Sequence, residues 1–496
     1  MSIRTTFSGL SIALRALQTQ QISLDITGHN VANANNPNYS RQTALHSATK
    51  PYPTPMMGYT PSSGQLGTGV QISQINRMRD GFVDLRLRQQ LQSTNYWATM
   101  EEGLRQVELF FNEPSENGIH YALDQFWDSW QDLSREPDFA SVREVVVQRA
   151  QVLVESITGT RSHLQSLREN LNGDIPLKVG DVNSLATRIA DLNVQIGKIS
   201  ATGSLPNDLL DARDAMIEEL SQLVDVDVVP DQAGMVGVTI GGASLVHRGT
   251  AYGLVTSGVT IDGENYKKHE IRWATTGNLV KLNSGEIKGL QDLRDNDITK
   301  TLAALDTWTK QFATKVNEIH EGGYDLDGIG GAANPIRFFV FEEAGAPENT
   351  DMSFAAMNIR INPLIATNVA KIRAGSIAHA EGNGLNAIML AELRTSRVID
   401  VDSAGGGARI SIGDAYNSII SKLGVDTQKA VRMNENGTGL ELHLQNLKDS
   451  ISGVSLDEEM TNMIRYQHAY SAAARVMTTM DEALDTIINR LGIVGR

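Results

Sequence analysis

The chain has 496 residues, a length that suggests about three domains, and its 41% hydrophobic and 20% charged residues belong to a folded protein rather than a disordered one. Lys and Arg number 43 against 58 Asp and Glu, and the resulting formal charge of −15, with no dense basic run, argues against nucleic-acid or anionic-membrane binding. The lack of cysteine removes disulfides, thiolate metal sites and a cysteine nucleophile together.

The start of the chain has neither the continuous apolar core nor the small-residue cleavage site of a signal peptide. No apolar run approaches the ~20 residues that span a bilayer. The chain is therefore expected to stay in the cytoplasm or to leave by a route without a cleaved signal. Its first element reads as a helix over residues 3–30, about 42 Å long. Ile3, Leu10, Leu17 and Leu24 fall every seven residues, and Phe7 and Leu14 hold the partner position, which makes an a/d seam. Asn30, Asn33, Asn36 and Pro37, followed by Tyr39, end it, because Asn tolerates the left-handed conformation and Pro forbids continuation.

Residues 37–75, rich in Pro and Gly, read as extended loops with a small hairpin. Residues 80–222 show helical periodicity, with breaks expected at Asn112-Glu113-Pro114, Glu136-Pro137, Gly173 to Pro176 and Gly203 to Pro206. Ser141 and Glu144 have capping-box spacing, and Trp127 and Trp130 share one helix face as core residues. Alternating Val/Ile with Asp, Thr and Gly over about 225–285 predicts antiparallel strands. A helix over 286–321 follows, then short apolar runs over 335–375 that suggest further strands, then helix again from about 380.

The last element is a helix over 455–491, about 55 Å long, with Ser455 and Glu458 spaced as a capping box. Leu456, Met463, Tyr470, Met477, Leu484 and Leu491 recur every seven residues, and Tyr466, Met480 and Ile487 fill the alternate position. Two such seams either close a hairpin within one chain or pack against other copies. The termini are nearly neutral while the middle carries the acidic charge, and this favours stacking of the ends in an assembly.

The fold class is thus α+β and multidomain: a terminal α-helical coiled-coil pair, an elongated helical-bundle domain and an inserted antiparallel β-rich domain. The domains are 1–75 with 445–496, then 76–224, 286–334 and 376–444, then 225–285 with 335–375. The expected arrangement is nested, with the ends together, the helices next and the β domain at the tip.

The stretch from Ser23-Leu24-Asp25 through Asn30-Val31-Ala32-Asn33-Ala34-Asn35-Asn36-Pro37-Asn38-Tyr39 to Gln42 resembles the signature of bacterial flagellar rod, hook and hook-associated axial proteins. Ser452 to Met460, with Ile464-Arg465-Tyr466-Gln467 through Val476, is similar to the first hook-associated type, which joins hook to filament. Gly67 to Ile75, Ser284-Gly285-Glu286-Ile287-Lys288-Gly289 and Gly323 to Gly328 also fit that family. The resemblance implies a structural protein that self-assembles through its terminal helices. It implies as partners the hook protein, the other hook–filament junction protein, an export chaperone on the C-terminal helix and the flagellar type III export apparatus. It also implies a place outside the cell after cytoplasmic synthesis. The alternative within the family is a sibling axial protein, either the hook protein or the other junction protein.

No enzymatic chemistry competes. The ten histidines are scattered, with no His-x-x-x-His pair, and no phosphate-binding or nucleophile-elbow motif occurs. Asp325-Leu326-Asp327-Gly328 begins like a calcium loop but lacks its later acids and reads as a Gly-rich turn. No cofactor, metal or catalytic residue is expected. A wall-degrading hydrolase fused to flagellar ends is the enzymatic alternative, and no motif-bearing cleft supports it.

Overall fold

The computed structural model describes residues 7–51, 67–260, 266–331, 334–341, 354–400 and 409–490. Ile3 and Leu491 lie outside them.

Helix α1 (Ser8–Ala32) stops where its Asn-rich sequence begins, with Asn33 capping it. The expected small hairpin is β1 (Gln42–Ala48) and β2 (Val70–Arg77), antiparallel with a register shift at Leu45/His46. Beyond it α2 (Gly81–Phe111) starts under the Asp80 side chain, which accepts the Phe82 N–H, and ends at Asn112 in the left-handed conformation. Helix α3 (Ile119–Arg135) carries Trp127 and Trp130 on its buried face.

Helix α4 (Ala140–Ser200) corrects two expectations. It runs through Gly173 and Pro176 without a break, about 90 Å in all. Pro176 deletes one backbone bond, but Ile175, Val179 and Val182 on the same stretch are buried, and that packing outweighs the local penalty. Helix α4 also begins before Ser141, so the Ser141–Glu144 pair lies inside the first turn and caps nothing. Helix α5 (Asn207–Leu223) then folds back along it.

The region after α5 is antiparallel β structure. Strands β3 (Asp227–Pro230), β4 (Val236–Ile240), β5 (Ala243–His247) and β6 (Thr250–Ala251) form one sheet, and β7 (Leu254–Thr260) with β8 (Lys267–Trp273) another. Both dock on α4 through asparagines that imitate a neighbouring strand. Asn183 donates to the Leu254 carbonyl and accepts its N–H, both at 2.8 Å. Asn193 does the same to Val236 and also donates to the Arg248 carbonyl. Asn172 takes the Lys267 carbonyl and the His269 N–H. Each clamp satisfies strand backbone groups that would otherwise be buried unpaired.

Helix α6 (Glu286–Asp292) and α7 (Ile298–Gly322) make the expected 286–321 helix, joined by a π turn over 293–297. The Ser284–Gly289 motif is a docking device. Gly285 has φ +91°, and a Cβ there would stand 2.7 Å from the Leu223 carbonyl oxygen. Gly289 lets α6 approach α2, since a Cβ would lie 2.9 Å from Thr99.

Residues 335–375 are only partly β. Strands β9 (Phe339–Phe341) and β10 (Ile359–Ile361) pair, with the short α8 (Ala355–Asn358) and α9 (Pro363–Thr367) beside them. They share no sheet with β3–β8. Asn317 of α7 donates to the Phe339 carbonyl and accepts the N–H of Phe338 and Phe339. Helix α10 (Leu385–Glu392) follows, and α11 (Ile412–Ser452) runs back antiparallel to α2, about 60 Å long.

The expected β domain at the tip is therefore corrected. Strands β3–β6 flank the end of α4 that turns into α5, whose Asn207 donates to the Ile75 carbonyl of β2 at 3.1 Å. The other end of α4 is capped by residues 369–372, which receive the Arg143 guanidinium. The far end is instead an aromatic core of Phe126, Trp127, Trp130, Phe312, Phe338 and Phe339. The two β regions separate because each is pinned to a different stretch of α4 and α7. The continuous apolar core extends from Met100 to Ala430 and includes no residue of α1, β1, β2 or the last helix.

Candidate functional site

The last long helix, α12 (Leu456–Asp485), lies against α1. Gly9 meets the Met480 side chain, and Asn30 donates to Glu459 at 3.1 Å, so the two helices run antiparallel. The termini thus close a hairpin within the chain.

The two seams do not act as single faces. On α12, Met463, Tyr466, Met477 and Leu484 are half-buried, while Leu456, Tyr470, Met480 and Ile487 stay exposed. On α1, Leu10, Leu17 and Leu24 are half-buried, whereas Phe7 is 62% and Leu14 49% exposed. A further outward row on α12, Met460 and Ile464, was missed by the heptad reading because it belongs to neither seam position; both are more than half exposed.

What α1 buries is a small polar stripe, Ala13, Thr19, Ser23, Thr27 and Asn30. Its hydroxyls donate to the carbonyls four residues back, Thr19 to Arg15, Ser23 to Thr19 and Thr27 to Ser23, at 2.7–3.0 Å. Thus satisfied, they are buried at little cost, and their small size brings the β1–β2 hairpin close. Ser23 reaches the His46 ring at 3.0 Å, and His46 in turn packs beside Tyr466. The i, i+4, i+8 repeat of Thr19, Ser23 and Thr27 was the available signal, hidden by the larger apolar residues around it.

The Asn-rich turn is a lock. Asn30 donates to the Gln42 carbonyl and accepts its N–H at 3.0 Å, the same clamp used on α4. Tyr39 donates to Asn30 at 2.7 Å and meets His29. Its phenol is pushed above the ordinary range by burial and by Asp208, Asp211 and Glu459. Asn33 donates to the His29 carbonyl, and Asn36 accepts the Asn38 N–H in a side-chain turn. Pro37 is exposed.

Beneath this turn the terminal layer meets the helical shaft through charge. Ser40 gives both its N–H and its hydroxyl to Asp211. Arg77 joins Asp211 and Asp214, and Arg79 joins Asp84, Asp214 and Glu218. Lys448 of α11 closes the set on Glu218 at 2.7 Å. Burial alone would lower the Arg79 guanidinium, but Asp84, Asp214 and Glu218 outweigh it and hold it above its usual value. Burial would raise Asp214, and Arg79, Arg77 and Arg213 reverse that and hold it low. Arg41 bonds Glu458 at 2.6 Å and Glu459 at 2.8 Å. The expected Ser455–Glu458 capping box is therefore corrected: Ser455 makes no side-chain cap, because Glu458 is drawn to Arg41.

The calcium-like turn is also explained. The Lys371 ammonium sits on Asp325 at 3.2 Å and Asp327 at 2.8 Å, in the place a cation would take. Among the described residues no group of His, Asp and Glu is arranged to hold a metal, and no helix is long and apolar enough to cross a membrane.

Comparison with known proteins agrees with this layout. Residues 104–334 match the family described as flagellar hook-associated protein FlgK helical domain. Residues 10–39 match flagella basal body rod protein, and 449–491 match flagellar basal body rod FlgEFG protein C-terminal. A flagellar hook-associated protein 1 of Bacillus subtilis (strain 168) is 33% identical, over 99% of this chain and 100% of the relative. One of Escherichia coli (strain K12) is 25% identical over 98% of this chain and 99% of its own length. The flagellar hook junction protein FlgK from Burkholderia pseudomallei has a similar fold, with a TM-score of 0.62 and 15% identity, covering 74% of this chain and 100% of that one. The sequence similarity over essentially its whole length makes this chain a member of the flagellar hook-associated protein 1 family, structural proteins of the flagellum rather than enzymes.

Proposed function

We propose that this chain forms the joint between hook and filament, with its terminal hairpin as the assembling element. The observation that carries the reading is the outward apolar surface of that hairpin. Phe7, Leu14, Leu456, Met460, Ile464 and Ile487 face solvent in a single copy, although each is a large hydrophobic side chain. Neighbouring copies, the hook protein on one side and the other junction protein on the other, supply what covers them. The shaft carries most of the negative charge outward and keeps the assembly soluble. The chain reaches its place through the flagellar type III export apparatus, and an export chaperone masks residues 455–496 beforehand. The full-length match to hook-associated protein 1 relatives supports this reading over that of a hook protein.

The test is a deletion strain complemented with the wild-type chain or with a Met460→Gln/Ile464→Gln variant. The wild-type chain restores filaments and is found by immunolabelling between hook and filament. The variant is exported but leaves flagellin unpolymerised in the medium. Hooks that fail to form without this chain, or a variant that assembles normally, would overturn the reading. Limited proteolysis with the chaperone checks the masking: 455–496 becomes protected if the chaperone covers it.

A further inference from the structure

A second unpartnered surface lies on the shaft. Helix α11 packs on α2 and α7. Its opposite side shows Met433, Leu440 and Leu447 every seven residues, all exposed. Lys422, Lys429 and Arg432, with His443, share that side of the helix. Lys429 lies over the Trp97 ring at 5.5 Å, and Lys422, Arg432 and His443 have no ion-pair partner among the described residues. The acids of this segment, Glu435, Glu441 and Asp449, project to other sides. The strip is continuous with the hairpin, since α11 ends at Ser452 and α12 begins with the exposed Leu456 and Met460.

Helix α4 presents the complementary relief. It packs on α3, α5, α6 and α7, and its outward side carries Gly159, Ser166, Gly173 and Gly180 at seven-residue spacing. At each of the three glycines the space a Cβ would enter is open. Flanking this low ridge are Glu155, Glu169, Asp174 and Asp181, none in an ion pair among the described residues. The only lysine between 151 and 187 is Lys178, and it is already paired with Glu286 at 2.8 Å. One helix side is apolar with basic flanks, the other is flat with acidic flanks, and both repeat every seven residues.

We infer that, in the assembled structure, the outward side of α11 in one copy seats on the outward side of α4 in the next, a head-to-tail contact between shafts. The inference rests on the proposed assembly of copies through their termini. Leu440 and its neighbours fill the hollows at the glycines, and Lys429 and Arg432 reach Glu169 and Asp174. A contact between unlike surfaces does not close on itself in a pair, so it propagates around the assembly.

The absence of native cysteine makes the test clean. Chains carrying Leu440→Cys together with Ser166→Cys, Gly173→Cys or Gly180→Cys are expressed as the sole copy, and isolated hook–filament junctions are treated with a short bismaleimide. At least one pairing yields a ladder of cross-linked copies, and each single variant yields none. Lys429→Glu/Arg432→Glu lowers the assembled copies by about tenfold, and Glu169→Lys/Asp174→Lys in the same chain restores them. Junctions that contain the chain by immunolabelling but give no ladder at any pairing overturn the inference and leave the proposed function standing. Cross-linking of Leu440→Cys to hook protein or to the other junction protein overturns it as well. Absence of the wild-type chain from the junction overturns both.

Discussion

The two ends of the molecule solve opposite problems. At the far end, Phe126 and Trp130 of α3, Phe312 and His320 of α7, and Phe338 and Phe339 interlock with rings 4.9–6.4 Å apart, and none is accessible. At the terminal end the buried groups are Asn30, Ser40, Asp211 and Glu459, and the large apolar side chains point outward. One end is finished within a single copy by dispersion and apolar burial. The other is held in one orientation by directional bonds and keeps its apolar surface for a neighbour. A charged joint suits that role, because ion pairs and side-chain clamps fix an angle that apolar packing alone would leave free to slide.

The largest expected effects test this contrast directly. Phe312→Ala removes a ring from the middle of the aromatic core and should cost about 3–5 kcal/mol in urea unfolding, leaving the hairpin bonded to the shaft in whatever remains folded. Arg77→Ala strips the partner from buried Asp211 and Asp214 and should cost about 3–5 kcal/mol, felt at the joint. Hydrogen exchange should place that loss in α1, β1, β2 and α5 and leave residues 308–341 protected. A uniform loss across both ends would show that they are one cooperative unit.

Acid separates the ends by a different route. His320 is fully buried, with Nδ1 donating to the Ile336 carbonyl at 2.8 Å and Nε2 accepting the Arg373 N–H at 3.1 Å. Burial, with Arg373 and Arg143 nearby, pushes it down to about 3. The unfolded chain takes up this proton near its ordinary value of about 6.5, and the folded chain does not until about 3. Stability from this group is therefore complete above the unfolded value and lost as pH falls, by about 1.4 kcal/mol per unit between those limits. Between about pH 6.5 and 5 the expected loss is about 2 kcal/mol, ahead of most carboxylates. His320→Gln should flatten that window whatever its own cost. Asp214 acts at lower pH: held low by Arg79 and Arg77, it loses its contribution only as pH falls below the ordinary carboxylate range.

Smaller effects probe the clamps and the outward faces. Asn183→Ala leaves the Leu254 N–H and carbonyl without partners and should cost about 1–3 kcal/mol. Exchange of the Leu254 amide should rise while the aromatic core is unchanged. Ile464→Gln should shift unfolding of the single copy by less than about 0.5 kcal/mol while abolishing assembly. A large loss of stability there would mean that the residue already has a partner within the chain.

The periodicity that marked both long terminal helices was legible because heptad spacing and an Asn-Pro terminator act locally. The Trp127–Trp130 face and the β segment over 225–285 were legible for the same reason. The Ser284–Gly289 motif was visible but not its purpose, which depends on α2 and on Leu223 meeting it from elsewhere in the chain. Pro176 misled because burial of one face of α4 along its length outweighs one missing backbone bond. Ser455 and Glu458 misled because Arg41, more than four hundred residues away in sequence, competes for the carboxylate.

The sequence by itself determined where helices and strands form, that the two ends are apolar-striped and nearly uncharged, and which family the chain resembles. Only the tertiary structure decided which half of each stripe is used within the chain, that the β3–β6 sheet flanks the inner end of α4, and that a buried charged joint sets the hairpin on the shaft. Periodicity reports which side of an element is apolar. It cannot report which long-range partner reaches that side first, because that choice is made by polar groups whose bonds close only after distant segments have come together.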